Sequence, residues 1–222
     1  MSIMKGEIAQ TTGVDWDSEG ASKSLRMLRD GTVSMTNWIA ALSLEGRVFT
    51  ANNGVATTSI EFGAGGLDTT EFDFHIAVPA GVAIIPLELN IHYSAFGTAL
   101  LVENVMQTGT GSVTGAGTTS VVRSSNPNSG RTSSCTCTGA AVAGTAFTAN
   151  VKEIWREIDQ LSITIATIAQ LRVPYNYRWS ALQSGCLDVV GPSAQLAVWA
   201  SSNAGGGMIS FKWAELPSAA LV

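Results

Sequence analysis

Apolar and polar residues alternate with a period of two through most of this chain, from about residue 46 to the end. The stretches EFDFHIAVP (71–79) and PLELNIHY (86–93) each place a row of Phe, Ile, Leu or Val on one side of the backbone and polar residues on the other. Successive side chains of a strand point to opposite faces, so this period predicts strands with one buried face. Turn sequences such as NPNSG (126–130) separate the stretches. The pattern therefore predicts an all-β fold, an antiparallel β-sandwich or jelly roll.

The 222 residues are enough for one large domain with its own core. Residues 1–30 mix charged and polar side chains without periodicity, and we expect an extended N-terminal arm, either a fraying tail or an arm that grips a neighbour. Residues 31–222 are predicted to form the sandwich domain. Within it, residues from about 104 to 151 are rich in Gly, Ser and Thr and contain no acidic residue. This insert is either a flexible loop or, as we favour, a pair of strands joined by a protruding tip at SSNPNSG (124–130).

At most one or two short helices are expected. In NVKEIWREIDQ (150–160), Asn150 precedes Glu153 by three residues and Ile154 precedes Ile158 by four, which predicts a short capped helix. A helical turn is also possible in ASKSLRMLRDG (21–31).

Two alternating stretches near the C-terminus, SAQLAVWAS (193–201) and MISFKWAEL (208–216), flank the Gly-rich sequence SNAGGG. A glycine-rich connection between two alternating runs predicts a strand pair. Trp199 and Trp213 lie in these two strands, so we expect them to pack together.

Two cysteines stand one residue apart in SSCTCTGAAVAG (133–144). On a strand, Cys135 and Cys137 share one face at about 6.5–7 Å, which is too far for an easy disulfide. A zinc site needs further ligands, and the chain offers only Cys186, His75 and His92. We therefore favour two small apolar thiols on one strand face. A disulfide from Cys186 to either cysteine, and a metal site, remain open alternatives.

No catalytic constellation is apparent. A hydrolase triad needs a histidine base, yet His75 and His92 both lie on the polar faces of predicted strands, and no G-x-S-x-G elbow occurs. If VPAGVAIIP (78–86) reverses the chain, the two imidazoles could hold a metal with Asp73 or Glu88, although solvated or hydrogen-bonded surface histidines are the favoured interpretation. We therefore predict no enzyme activity and no catalytic, cofactor-binding or metal-binding residues.

Only 13% of the residues are charged, about half of the typical ~25%. Soluble monomers generally carry more surface charge, so the low fraction indicates an exterior that is covered in an assembly. The net charge of −5 and the lack of a Lys/Arg run argue against nucleic-acid and acidic-membrane partners. No apolar run approaches the ~20 residues of a membrane span, and the first residues show no secretory signal, so we expect synthesis in a cytoplasm.

Six tryptophans are present, and they more often fill a core or an interface than form a sugar platform. They are Trp16, Trp38, Trp155, Trp179, Trp199 and Trp213. The alternative is an exposed aromatic platform at VPYNYRW (173–179), formed by Tyr175, Tyr177 and Trp179, which would bind carbohydrate together with Asn and Asp side chains.

Two segments, QLAVWASSNAGGGMISFKWAELP (195–217) and FHIAVPAGVAIIPLELNIHY (74–93), resemble the trimeric, tumour-necrosis-factor-like jelly-roll proteins on tailed-bacteriophage capsids. The resemblance covers about residues 70–108 and 186–217 and carries no site residue with it. It implies a capsid decoration (cement) protein: a homotrimer in the virion, made in the host cytoplasm, that binds across neighbouring major capsid protein subunits.

The alternative function is a receptor- or carbohydrate-binding head domain of a phage fibre or a lectin-like module. The long neutral insert departs from the pattern of the decoration proteins, and the resemblance assigns it no role.

Overall fold

The computed structural model describes residues 37–53, 58–62, 71–95, 101–111, 116–142, 147–160, 176–184, 187–201 and 205–221. The elements in chain order are α1 (Trp38–Leu44), β1 (Val48–Asn53), β2 (Ile60–Glu61), β3 (Phe74–Ala77), β4 (Val82–Ala95), β5 (Leu101–Thr110), β6 (Ala116–Ser120), β7 (Val122–Ser124), a 3-10 turn (Pro127–Ser129), β8 (Thr136–Val142), β9 (Ala149–Gln160), β10 (Asn176–Ser180), α2 (Ala181–Ser184), β11 (Gln195–Ser201), β12 (Gly206–Pro217) and a 3-10 turn (Ser218–Leu221).

Some of the predictions fall on other parts of the chain. The N-terminal arm (1–30), the helical turn at 21–31, Trp16, Tyr175 and Cys186 all lie outside the described residues.

The strands form two antiparallel sheets. The first sheet has the order β7-β1-β12-β4-β10, with β2 beside β12, and the second has the order β6-β8-β3-β11-β5-β9. Their apolar faces pack together into one core, which includes Leu89, Ile91 and Phe211 from the first sheet and Phe74 and Ile76 from the second. The prediction of an all-β antiparallel sandwich with few short helices is confirmed.

Eight of the strands pair in a nested order. β1 pairs with β12, β3 with β11, β4 with β10, and β5 with β9, so that the first of the eight pairs with the last and the fourth with the fifth. Successive pairs lie alternately in the first and the second sheet. The two halves of the chain therefore run together as one long antiparallel ribbon that is folded across the sandwich.

Residues 116–142 add strands at the opposite edge from β9 and β10. β6 and β8 extend the second sheet beyond β3, whereas β7 pairs with β1 of the first sheet. Only Val121 separates β6 from β7, so the chain passes from one sheet to the other at this corner. Strands are present in this segment, as we favoured, but the two that flank SSNPNSG, β7 and β8, lie in different sheets and do not form a pair.

The tip of this segment does not protrude as predicted. The Asn126 side-chain amide donates to the Leu44 carbonyl oxygen at 2.8 Å, and the Ser124 hydroxyl donates to the Gly46 carbonyl oxygen at 3.3 Å. These two carbonyls belong to the end of α1 and the turn that follows it, so polar side chains of the tip fix it there.

The predicted helix at residues 150–160 is wrong, because this segment is the edge strand β9. Met106 lies opposite Trp155 and Gln107 lies opposite Glu153, which leaves Ile154 as the extra residue of a β-bulge. Ile154 and Trp155 consequently both pack against the core although they are neighbours in sequence. The bulge breaks the period of two and imitates helical spacing.

The predicted C-terminal strand pair is also wrong, because β11 lies in the second sheet and β12 in the first. The Gly205 carbonyl accepts a hydrogen bond from the Phe62 amide at 2.9 Å, where the chain joins the first sheet. Trp199 and Trp213 therefore do not pack as a pair. Trp199 lies against Phe147, with 5.9 Å between ring centroids, whereas Trp213 is in the core between the sheets.

Candidate functional site

The two adjacent cysteines are structural. Cys135 and Cys137 are both free and buried in the core, as the favoured interpretation predicted. Burial raises the pKa of Cys137 to about 12, and burial together with the nearby Glu215 carboxylate raises that of Cys135. Neither thiol is therefore available as a thiolate near neutral pH. Cys186, the other member of the alternative disulfide, lies outside the described residues.

The two histidines lie on opposite sides of the sandwich, because β3 and β4 belong to different sheets. The neighbours of each histidine along its strand face the core, so both imidazoles point outward, His75 from the second sheet and His92 from the first. The alternative of a shared metal site is therefore wrong. Within the part of the chain that the structure describes, no group of three or more His, Cys, Asp or Glu side chains could hold a metal ion.

His75 is hydrogen-bonded, as the favoured interpretation allowed, but it is buried and does not lie on the surface. Its Nε2 lies 2.6 Å from the Gln195 Oε1, and the Phe72 ring packs against it with 4.8 Å between ring centroids. The Gln195 amide nitrogen donates to the Gly111 carbonyl oxygen, so its Oε1 is the atom left to accept from the imidazole. Burial lowers the pKa of His75, opposed by the hydrogen bond to Gln195.

We expect stability to fall as the pH falls below about 6.5, the ordinary pKa of histidine. In this pH range the unfolded chain binds a proton at His75, whereas the folded chain binds it only when the pH reaches its lower pKa. Each unit by which folding lowers this pKa therefore reduces the free energy of unfolding at acidic pH by about 1.4 kcal/mol. Urea unfolding between pH 7 and pH 5 measures this loss. His75→Gln should flatten the pH dependence in this window, whereas His92→Gln, at an exposed position, should leave it unchanged. The prediction would be contradicted if the free energy of unfolding fell by the same amount from pH 7 to pH 5 in the wild type and in His75→Gln.

The outer face of the first sheet is polar and carries more positive than negative charge. Lys212 and Arg178 both contact Glu88, with N–O distances of 3.3 Å and 2.8 Å. A hydrogen bond from the Asn90 amide is the first cause that lowers the pKa of Glu88, and the two cations add to it. Arg123 on β7 lies at the edge of the same face, in register with Thr50 of β1. These described side chains thus give this face three cations and one carboxylate, although the net charge of the chain is −5.

Exposed apolar side chains concentrate at the edge formed by β9 and β10. Among the residues that the structure describes, nine large hydrophobic residues are exposed, and six of them belong to β9, to the start of its partner β5, to α2 or to residues 187–189. The Lys152 ammonium contacts the Asp188 carboxylate, which places residues 187–189 beside β9. We call this surface the β9/β10 edge; its exposed apolar residues are Leu101, Val151, Ile158, Leu182, Leu187 and Val189.

The two described members of the alternative aromatic platform are not exposed. Tyr177 and Trp179 are 3% and 5% exposed and pack in the core, and the Tyr177 hydroxyl donates to Asp159 at 2.9 Å. Because both rings are buried, neither can stack on a sugar, and Tyr175 lies outside the described residues.

The core interpretation of the tryptophans holds for most of the described ones. Trp179, Trp199 and Trp213 are buried and Trp155 is partly buried against the core, whereas Trp38 is exposed.

Glu215 is a buried carboxylate that sequence patterns did not reveal. It accepts hydrogen bonds from the Trp213 indole N–H and from the Ser134 backbone N–H, both at 3.1 Å, and from the Ser133 hydroxyl. Glu215 lies in the same row of β12 as Ile209, Phe211 and Trp213, which face the core, so the alternation of this strand turns it inward. The carboxylate thereby joins the last strand to the segment that leads into β8.

Described residues line two grooves on the surface. One, of about 490 Å³, lies where β1, β2, β6 and β7 meet. The other, of about 450 Å³, lies at the end of β12 and is lined in part by Arg47, Arg131 and Leu216.

Comparison with known proteins gives no relative: no family model, no curated protein and no solved structure matches this chain. In the part that the structure describes, no helix has the length and apolar character needed to cross a membrane.

Proposed function

We propose that this protein is a structural capsid decoration protein of a tailed bacteriophage, which stabilises the head as a homotrimer by binding across neighbouring major capsid protein subunits. It acts by contact and not by catalysis. The nested pairing of eight strands is the observation that carries the proposal.

First-to-last pairing of eight strands across two sheets is the order of a jelly roll, a fold of viral capsid and lectin domains. β1 with β12 and β4 with β10 lie in one sheet, and β3 with β11 and β5 with β9 lie in the other. This order supports the jelly-roll assignment, and the resemblance of residues 74–93 and 195–217 to capsid jelly rolls supports the capsid over the lectin.

The β9/β10 edge is the surface that we assign to the contact between copies. β9 has twelve residues and, among the described residues, pairs on one side only. An unpaired strand edge of this length offers backbone N–H and C=O groups to another chain, and the exposed Val151 and Ile158 add apolar contact surface. A second copy of the chain is the partner proposed, because exposed apolar patches of this kind mark protein contacts and the low overall charge indicates a covered exterior.

Trimerisation would strengthen attachment to the capsid without strong single contacts. When one subunit of a trimer is bound, the others are held near their own sites at high effective concentration, so weak contacts act together. The outer face of the first sheet, where Arg178 and Lys212 contact Glu88 and Arg123 lies at the edge, would then be free to face an acidic capsid surface.

The test has two measurements: the molecular mass of the protein in solution, and its cosedimentation with empty capsids assembled from the major capsid protein of the same genome. The wild type should have three times the mass of one chain and should sediment with the capsids. Val151→Asp combined with Val189→Asp should give single chains that sediment at least tenfold less, because buried charge in an apolar contact is costly.

Val121→Asp is the matched control, since Val121 is equally exposed but lies at the opposite edge of the sandwich. It should leave the mass and the sedimentation unchanged. A wild-type chain that is monomeric at micromolar concentration and does not sediment with capsids would contradict the proposed function.

A further inference from the structure

The groove of about 490 Å³ lies at the corner where the chain passes from the second sheet to the first. Its walls come from β1, from residues 58–60 at β2, and from β6 and β7 on either side of Val121. We call it the corner pocket. Its lining residues are Thr50, Asn52, Asn53, Thr58, Ser59, Ile60, Thr118, Thr119, Ser120, Val121 and Arg123.

Most of the described residues that line the corner pocket are Ser, Thr or Asn. Six are Ser or Thr and two are Asn, and none of the described lining residues is Asp or Glu. Hydroxyls and amides both donate and accept hydrogen bonds, which matches a ligand that carries several hydroxyl groups. Ile60 and Val121 add apolar surface that can contact the C–H face of a sugar ring.

Arg123 supplies one positive charge to this neutral lining. Within the described residues, its guanidinium takes part in no ion pair, whereas Arg178 and Lys212 on the same sheet both contact Glu88. A guanidinium binds a carboxylate through two parallel hydrogen bonds, and such charge-assisted bonds are stronger than neutral ones. One cation among many hydroxyls fits a ligand with one anionic group per sugar ring.

We propose that the corner pocket binds an acidic saccharide, with the carboxylate of a uronic or sialic acid on Arg123 and the sugar hydroxyls on the Ser, Thr and Asn side chains. Its volume suits one or two sugar rings. This binding does not depend on trimer formation or on capsid attachment. The geometry favours a sugar over an acidic peptide, because the lining offers side-chain hydroxyls and a single charge.

The experiment uses the full chain on an array of glycans that contain glucuronate, galacturonate or sialic acid, with the neutral methyl esters beside them. Calorimetric titration of the best acidic glycan and of its ester follows. We expect the acid to bind at least tenfold more tightly than the ester. Arg123→Gln should remove this difference by weakening the acid alone, whereas Asn52→Ala should weaken both.

Arg131→Gln is the control, because Arg131 belongs to the same segment of the chain but lines the other groove. It should bind as the wild type does, and equal unfolding midpoints for all variants would show that the fold is intact. The proposal is overturned if no acidic glycan binds, if ester and acid bind equally, or if Arg123→Gln binds as tightly as the wild type. Competition for the site by an oligo-glutamate peptide at equal affinity would also overturn it, in favour of a peptide site.

Discussion

Replacement of Trp213 by alanine should lower the free energy of unfolding by about 3–5 kcal/mol. Trp213 is fully buried, and its ring packs between Phe49 and Phe211, with 6.3 Å and 6.1 Å between ring centroids. Its removal leaves a cavity in the core and takes one of the donors from the buried Glu215 carboxylate. Denaturant unfolding followed by circular dichroism measures the loss.

Two further variants separate packing from hydrogen bonding. Trp213→Phe keeps most of the ring and removes only the N–H donor, so we expect a loss of about 1–2 kcal/mol. Trp38→Ala, on the exposed face of α1, should cost less than about 1 kcal/mol. If Trp213→Ala were no more harmful than Trp38→Ala, the assignment of Trp213 to the central core would be wrong.

The strands could be predicted from the sequence wherever the alternation of apolar and polar residues is regular along the whole strand. β3 and the later part of β4 alternate regularly, and their inward residues Phe74, Ile76, Leu89 and Ile91 are the apolar ones of the pattern. The period of two records only that one face of a strand is buried. This local rule is enough to identify the fold class.

The sheet to which each strand belongs could not be predicted in the same way. β11 and β12 each carry an inward apolar row, and this holds whether the two strands pair in one sheet or face each other across the core. A glycine-rich connection suits both arrangements. Only the pairing of β11 with β3 and β5 distinguishes them, and that pairing joins residues far apart in sequence.

Some residues of the interior leave no signal in the sequence pattern. The extra residue in β9 turned both Ile154 and Trp155 toward the core, and Glu215 is a charged residue in the inward row of β12, which apolar residues otherwise fill. His75 follows the alternation but is covered from outside by Phe72 and Gln195. Tertiary cover of this kind leaves no periodic signal.

Gly207→Ala is expected to destabilise the protein by roughly 1–3 kcal/mol. A Cβ at Gly207 would lie 2.0 Å from the His92 carbonyl oxygen of β4 and 2.8 Å from the Phe62 ring. Because the carbonyl belongs to a neighbouring strand, the methyl group must push β12 and β4 apart next to the point where β12 pairs with β2. Thermal unfolding monitored by circular dichroism measures the effect.

Gly81→Ala is the matched control, since nothing lies within 4 Å of its added Cβ, and it should change stability by less than about 0.5 kcal/mol. Equal midpoints for the two variants would mean that β12 and β4 are not in close contact at this point.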